Sequence, residues 1–300
     1  MPVALQPNDI HPHFPQYHNI TPIKSGGYKS VYRVETTSGI EALKIITLPV
    51  AANSPDDDAL HQEIKGRVNR ELEALQRCAC PELVRLATFT LTEMTINNLP
   101  VLAYSEEYLA GKDLWEIWRN DPTQPSESEL KILFGVLLRA IRQLWGSGYI
   151  HRDIKPANII KLSDPQRPFV LLDLGIAFSI NDTALTADSQ RFPPPATLRY
   201  IAPEMIRPNF RENLDYRSDL YTAALTVYEY GAKTHPIARD REDAMQTISR
   251  AINEEPKPLI IKRSDLSAEF CQLIDQMLKK IPALRPANLN LLISRMEAGI

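Results

Sequence analysis

Residues 151–158 read His-Arg-Asp-Ile-Lys-Pro-Ala-Asn, and residues 171–175 read Leu-Leu-Asp-Leu-Gly. The first stretch follows Gly146 and Gly148, which stop a helical pattern, so it reads as a loop. That loop carries a carboxylate (Asp153), an ammonium (Lys155) and an amide (Asn158) close together in sequence. The second stretch adds Asp173 after the short apolar run Phe169–Leu172, which reads as a buried segment. Asn158 and Asp173 offer hard oxygens, the donors that Mg²⁺ prefers. Lys155 offers a point charge to an anion, and Asp153 can orient a hydroxyl by accepting its proton.

Upstream, β-branched and aromatic runs from Asn19 to Thr47 are broken by Gly-Gly and Ser-Gly, a pattern of three strands joined by turns. Residues 49–58 (PVAANSPDDD) read as a polar loop. Leu60 to Arg77 reads as a helix with Ile64, Val68, Leu72 and Leu75 on one face. Residues 84–92 and 100–108 are two further strand candidates. Downstream the pattern is helical. Ser126 and Glu129 form a capping box that opens a helix running to about Trp145. More helices are expected near 217–231, 241–253, 267–280 and 287–298. The shift near Gly111 divides a sheet-rich part from a helix-rich part, and a ligand cleft is expected between them. Residues 1–18, rich in Pro, His and Asn, read as a flexible leader.

Of the 300 residues, 44% are hydrophobic and 24% charged, enough apolar material for a sizeable core. The net charge is -3 with both signs interspersed, which argues against a nucleic-acid or anionic-membrane surface. Cys78, Cys80 and Cys271 lack zinc-site spacing and suggest no disulfide scaffold, so they read as reduced and intracellular. The start of the sequence lacks a signal-peptide pattern. No apolar run approaches the roughly 20 residues of a membrane span. The expected location is cytoplasmic.

The ordered series of motifs resembles the eukaryotic-type (Hanks-type) serine/threonine protein kinases, in a compact prokaryotic-like form. His151 to Asn158 resembles their catalytic loop. Asp173-Leu174-Gly175 resembles their metal-binding triplet, with Leu in the usual Phe position. Ala42-Leu43-Lys44 resembles the strand whose lysine holds the α- and β-phosphates. That lysine needs a glutamate from the following helix, and Glu63, Glu71 and Glu73 compete for the role. The run RELEAL ahead of LVRL matches the family pattern at Glu71, with Glu63 in reserve. Ala202-Pro203-Glu204 resembles the end of the activation segment, Arg285 the buried partner of its Glu, and Asp219 the residue bracing the catalytic loop. Glu107-Tyr108-Leu109 resembles the hinge that holds adenine through its backbone.

The resemblance implies an α+β, bilobal fold: an N-terminal antiparallel sheet lobe with one helix, and a mainly helical C-terminal lobe. It covers residues 19–298, with lobes at about 19–106 and 112–298 and a hinge at about 107–111. It implies transfer of the γ-phosphoryl group of ATP, with Mg²⁺ or Mn²⁺, to Ser/Thr hydroxyls of protein substrates. Asp153, Lys155, Asn158, Lys44 and Glu71 are then the catalytic group. Lys44, Gly26, Gly27, Val31, Ala42, Glu107, Leu109 and Ile160 hold the nucleotide, and Asn158 and Asp173 the metal. Lys155 together with Thr197 resembles the Ser/Thr-specific branch. Arg152 is placed to pair with a phosphate on Ser179, Thr183, Thr186 or Ser189, by autophosphorylation, and Pro193 to Pro195 stiffen that segment.

Three features depart from the pattern. Lys24 and Lys29 stand where the first and third glycines of the phosphate loop belong. Glu106, just before the hinge, stands where the family carries an apolar or small side chain, and a buried carboxylate there needs a partner. The connection after Lys44 is long and carries Asp56, Asp57 and Asp58. The altered glycine loop favours one alternative, a pseudokinase or nucleotide-binding scaffold without turnover. A second, a small-molecule kinase of the aminoglycoside or choline type, lacks the Ala202-Pro203-Glu204 segment and its Arg285 partner.

Overall fold

The structure, a computed structural model, describes residues 5–50, 55–174, 178–179, 198–206, 214–239 and 241–298. Gly175, Thr183, Thr186, Ser189, Pro193 to Pro195 and Thr197 lie outside the described residues. The described chain falls into two compact units, one of residues 5–76 and 84–110, the other of 77–83 and the residues from 111 onward.

The first unit is built on a five-stranded antiparallel sheet in the order β1-β2-β3-β5-β4. Its strands are β1 (Ile20–Gly26), β2 (Lys29–Thr36), β3 (Gly39–Thr47), β4 (Thr92–Ile96) and β5 (Leu99–Glu107). Strand alternation gives the sheet two different faces. Tyr32, Val34, Leu43, Ile45, Val101 and Ala103 form a buried cluster on one face. Ile46, Leu102 and Tyr104 on the other face pack against Val68 and Leu72 of helix α2 (Pro55–Arg77).

The first face is covered by residues expected to be a flexible leader. Leu5, Ile10, Phe14 and Tyr17 join its cluster, and the short helix α1 (Pro7–Ile10) lies among them. Phe14 stacks on Tyr17 with ring centroids 5.8 Å apart and meets Phe89 edge-on at 5.2 Å. Tyr32 Oη donates to the carbonyl of Leu5 at 2.6 Å. Proline and histidine spacing hid four large apolar side chains that the sheet face needs.

Two other expectations are corrected. Asp57 and Asp58 belong to the first turns of α2, which starts at Pro55 rather than Leu60. Proline suits the first helical position, and acidic side chains suit the positive end of the helix dipole. Residues 84–92 do not form a regular strand. The segment bonds to β5 at intervals, with Ala87 N–H donating to Ser105 O at 3.0 Å and Glu107 N–H to Arg85 O at 2.9 Å. Only Thr92–Ile96 pairs regularly.

In the second unit, β6 (Gly111–Asp113), α3 (Leu114–Asn120) and α4 (Glu127–Gly146) are followed by β7 (Tyr149–Ile150), β8 (Ile159–Leu162) and β9 (Phe169–Leu171). β10 (Phe178–Ser179) pairs with β7, and β6, β8 and β9 form a three-stranded sheet. Then come α5 (Tyr216–Ala232), α6 (Ala244–Asn253), α7 (Leu259–Lys262), α8 (Ala268–Met277) and α9 (Leu289–Ala298). α5 is buried on nearly all sides, as a central helix must be. Ser126 caps α4 by accepting from Glu129 N–H at 3.2 Å. The expected return half of the box is spent elsewhere: the Glu129 carboxylate takes Lys161 Nζ at 2.6 Å and Tyr230 Oη at 2.7 Å.

Candidate active site

In the first unit, Lys44 points from β3 toward α2, on the same sheet face as Ile46. Its ammonium donates to Glu71 Oε1 at 3.1 Å, and both side chains are buried. Glu71 follows Val68 by three positions, next to the apolar stripe that seats α2 on the sheet. Glu63 instead pairs with Arg67 at 2.5 Å, and Glu73 is exposed. The helix therefore selects Glu71 among the three candidates.

Lys44 has a second carboxylate. Glu106 Oε1 also accepts from its ammonium. The register explains why: Lys44 lies opposite Tyr104 and Ala42 opposite Glu106, so Lys44 and Glu106 are diagonal neighbours on one face. Burial pushes the Glu106 carboxyl above the usual carboxylate range, and the Lys44 charge opposes that push without cancelling it. The partner that the sequence left unnamed is thus the strand lysine itself.

The glycine-rich stretch is a tight hairpin. Gly26 pairs with Lys29, leaving Gly27 and Tyr28 as the turn. Gly27 has φ +54, a left-handed conformation that glycine adopts without strain. Lys29 Nζ lies 3.7 Å from Glu71 Oε1. Val31 and Ala42 are half-buried on the Lys44 face, since Val31 lies opposite Lys44. Glu107 and Leu109 follow at the end of β5, both partly exposed, and Glu107 Oε1 accepts from Arg85 N–H at 2.9 Å.

In the second unit the loop after β7 gathers Asp153, Lys155 and Asn158. Lys155 Nζ donates to Asp153 Oδ1 at 2.9 Å and Oδ2 at 2.7 Å. Asn158 Nδ2 donates to Asp153 Oδ2 at 3.0 Å and to its backbone carbonyl at 2.9 Å. Burial pushes the Asp153 carboxyl up, Lys155 pulls it down, and the neighbouring charge of Asp173 pushes it up again. Asp173 has φ +66 and Arg152 φ +69, uncommon values for residues with side chains. Ile160 sits half-buried on β8, opposite Val170 of β9.

His151, to which the sequence assigned no role, ties the two motif stretches together. Its Nδ1 takes the Asp153 N–H at 3.2 Å, so Nε2 carries the proton toward the Leu172 carbonyl at 3.2 Å. The only sequence signal was its place beside Asp153. Asp219 of α5 accepts from His151 N–H at 2.7 Å and Arg152 N–H at 2.8 Å, fixing the start of the loop. Arg285 forks Glu204, Nη1 to Oε1 at 2.6 Å and Nη2 to Oε2 at 2.9 Å. Ser179 falls in β10, and the other three candidate acceptors lie outside the described residues. Among the described residues no cluster of three or more His, Cys, Asp or Glu could hold a metal, and no helix is long and apolar enough to cross a membrane.

A family model for the protein kinase domain matches residues 17–295. The chain belongs to the protein kinase family. Serine/threonine-protein kinase pkn3 of Myxococcus xanthus is 30% identical over 286 residues, covering 92% of this chain and 48% of that protein. Serine/threonine-protein kinase A of Synechocystis is 28% identical, covering 94% of this chain and 53% of that protein. The chain thus spans about half the length of these relatives. The crystal structure of the Mycobacterium tuberculosis PknI kinase domain is 22% identical, with TM-score 0.64, covering 95% of this chain and 96% of that one. That likeness extends the family assignment to the fold: an N-terminal antiparallel sheet and a helical C-terminal part.

Proposed function

We propose that this chain is a protein kinase that transfers the γ-phosphoryl group of ATP to serine or threonine hydroxyls of a protein substrate. The observation that carries this reading is the preformed contact set of Asp153, whose carboxylate is held by both Lys155 and Asn158. Phosphoryl transfer draws most of its acceleration from positioning and charge rather than covalent help. Asp153 orients the attacking hydroxyl and accepts its proton. Lys155 sits close enough to Asp153 to hold its carboxylate still and to present positive charge to the transferring group. Lys44, steadied by Glu71, takes the phosphates of the nucleotide. Gly26, Gly27, Val31, Ala42, Glu107, Leu109 and Ile160 line the nucleotide.

Asn158 and Asp173 would hold the Mg²⁺ ion. Their oxygens are the hard donors it prefers, and it commonly keeps several waters besides one or two protein ligands. The fit is supported by the Asn158 amide, whose Nδ2 is spent on Asp153, so that its Oδ1 is the atom able to serve as a ligand. The ion would neutralise phosphate charge as it develops. Lys155 in the loop, and the likeness to two serine/threonine-protein kinases, support Ser/Thr over Tyr specificity.

The test mixes the purified chain with Mg²⁺ and γ-labelled ATP, with and without casein or myelin basic protein. Label on serine or threonine, lost in Asp153→Asn and Asp173→Ala, is the expected result. Mainly phosphotyrosine would overturn the specificity. No transfer, with the melting temperature still raised by ATP and Mg²⁺, would make the chain a nucleotide-binding scaffold.

A further inference from the structure

Two departures from the family pattern meet in one cluster. Lys29 replaces a glycine, Glu106 replaces an apolar residue, and both reach the Lys44–Glu71 pair. The charges alternate in space. Lys29 Nζ is 3.7 Å from Glu71 Oε1, Lys44 Nζ is 3.1 Å from the same oxygen, and Lys44 continues to Glu106 Oε1. Lys29, Lys44 and Glu106 share one sheet face by register, and Glu71 descends onto it from α2. The Tyr104 ring lies beside the cluster, its centroid 5.4 Å from Lys44 Nζ.

Burying a charge is costly unless it is paired. A Lys44–Glu71 pair is neutral. Adding Glu106, 3% exposed, would leave the cluster with one uncompensated negative charge. That charge would lie beside the lysine required to attract an anionic nucleotide. Lys29 supplies the missing positive charge, and its field also reaches Glu106. The replacement of glycine by lysine in the hairpin and of an apolar residue by glutamate before the hinge therefore make electrostatic sense only together.

We propose that Glu106 and Lys29 are a matched pair of positioning residues for Lys44. Glu106 gives the lysine a second anchor across the sheet, and Lys29 cancels the charge that this anchor adds. The proposal rests on the assigned role of Lys44 in holding nucleotide phosphates. It explains how a phosphate loop lacking two glycines keeps a lysine that serves the strand behind it.

The test is a double-mutant cycle of Lys29→Met and Glu106→Gln, read in two ways. The first readout needs neither nucleotide nor turnover: the rate of Lys44 acetylation by sulfo-NHS acetate at fixed pH, followed by peptide mass spectrometry. Glu106→Gln loosens the ammonium and should speed labelling, whereas Lys29→Met leaves excess negative charge and should slow it, each by about tenfold. The double variant should return to within about threefold of wild type. The second readout is the KM for ATP. Lys29→Met should raise it by about tenfold with kcat changed much less, and adding Glu106→Gln should reverse most of that loss. Single variants that shift labelling in the same direction, or not at all, overturn the matching. A wild type that transfers no phosphate refutes the kinase reading, while the labelling cycle still decides the proposal. A variant that fails to fold is replaced by Lys29→Gln or Glu106→Met, which carry the same charge change.

Discussion

Glu204 and Arg285 meet as a buried bidentate pair, Nη1 to Oε1 at 2.6 Å and Nη2 to Oε2 at 2.9 Å. Ser218 Oγ also donates to Glu204 Oε1 at 2.7 Å, and the Arg285 guanidinium lies 4.8 Å from the Tyr221 ring centroid. Arg285 further donates to the carbonyls of Lys279 and Arg217. Such a pair anchors the end of the segment at Glu204 to the helical core. Removing one partner strands the other as a buried charge. Arg285→Ala is therefore expected to destabilise the protein by about 3–5 kcal/mol in urea unfolding. Glu204→Gln keeps the serine contact and one guanidinium contact, and should cost clearly less. Equal losses for the two variants would contradict this reading.

Gly111 and Gly231 respond to added bulk in opposite ways. A Cβ at Gly111 would lie 2.1 Å from the backbone oxygen of Lys161, on the β8 strand that pairs with β6. Backbone cannot move aside cheaply there. At Gly231 the nearest atom would be Leu130 Cδ1 at 2.9 Å, the end of a flexible side chain. Gly111→Ala should destabilise by about 1–3 kcal/mol. Gly231→Ala should be near neutral, because alanine's helix preference of about 1 kcal/mol offsets the shift of Leu130. Thermal unfolding of the two variants checks the order.

Phe14 is fully buried between Tyr17, Phe89 and the sheet. Phe14→Ala should cost about 3–5 kcal/mol, the usual loss for a buried aromatic. Removal of residues 1–17 should bare Tyr32, Val34 and Leu43, and raise binding of a hydrophobic dye such as ANS. A truncated chain as stable as the full one would show that this segment contributes nothing to the first unit.

The sequence was most legible where chemistry demands particular residue types. Asp153, Lys155 and Asn158 were read from one loop, and the structure brings all three together. Glu71 could be separated from Glu63 and Glu73 only by a family pattern, because helical spacing alone puts several glutamates near one face. Partnerships across strands were not legible. Lys44 and Glu106 are far apart in the chain, and only the β3–β5 register makes them neighbours. Lys29 and Glu71 are likewise far apart in the chain, and they meet only because α2 packs on the sheet. The N-terminal segment was misread because its apolar residues, Leu5, Ile10, Phe14 and Tyr17, follow no strand period and are interspersed with Pro and His. Their burial is imposed by an uncovered sheet face, a tertiary demand with no local signature.

Asp219 makes the pH dependence of stability testable. Its carboxylate lies on the buried helix α5 and accepts the backbone N–H groups of His151 and Arg152. Burial pushes its pKa from 3.8 up to about 6, against the pull of those two N–H groups. The folded state therefore holds a proton that the unfolded chain releases at lower pH. The resulting stability is fully present below the unfolded value near 3.9 and is lost as pH rises through about 6. A shift of that size corresponds to at most about 3 kcal/mol. Asp219→Asn removes the titration and, at every pH, one of the two N–H contacts. The stability difference between wild type and Asp219→Asn should thus shrink or reverse between pH 4 and about 6.5 and stay constant above it. Urea unfolding of both proteins at half-unit pH steps measures it. A difference that is flat across that window would mean that Asp219 ionises in the folded protein as it does in water, and that its two N–H contacts fully offset its burial.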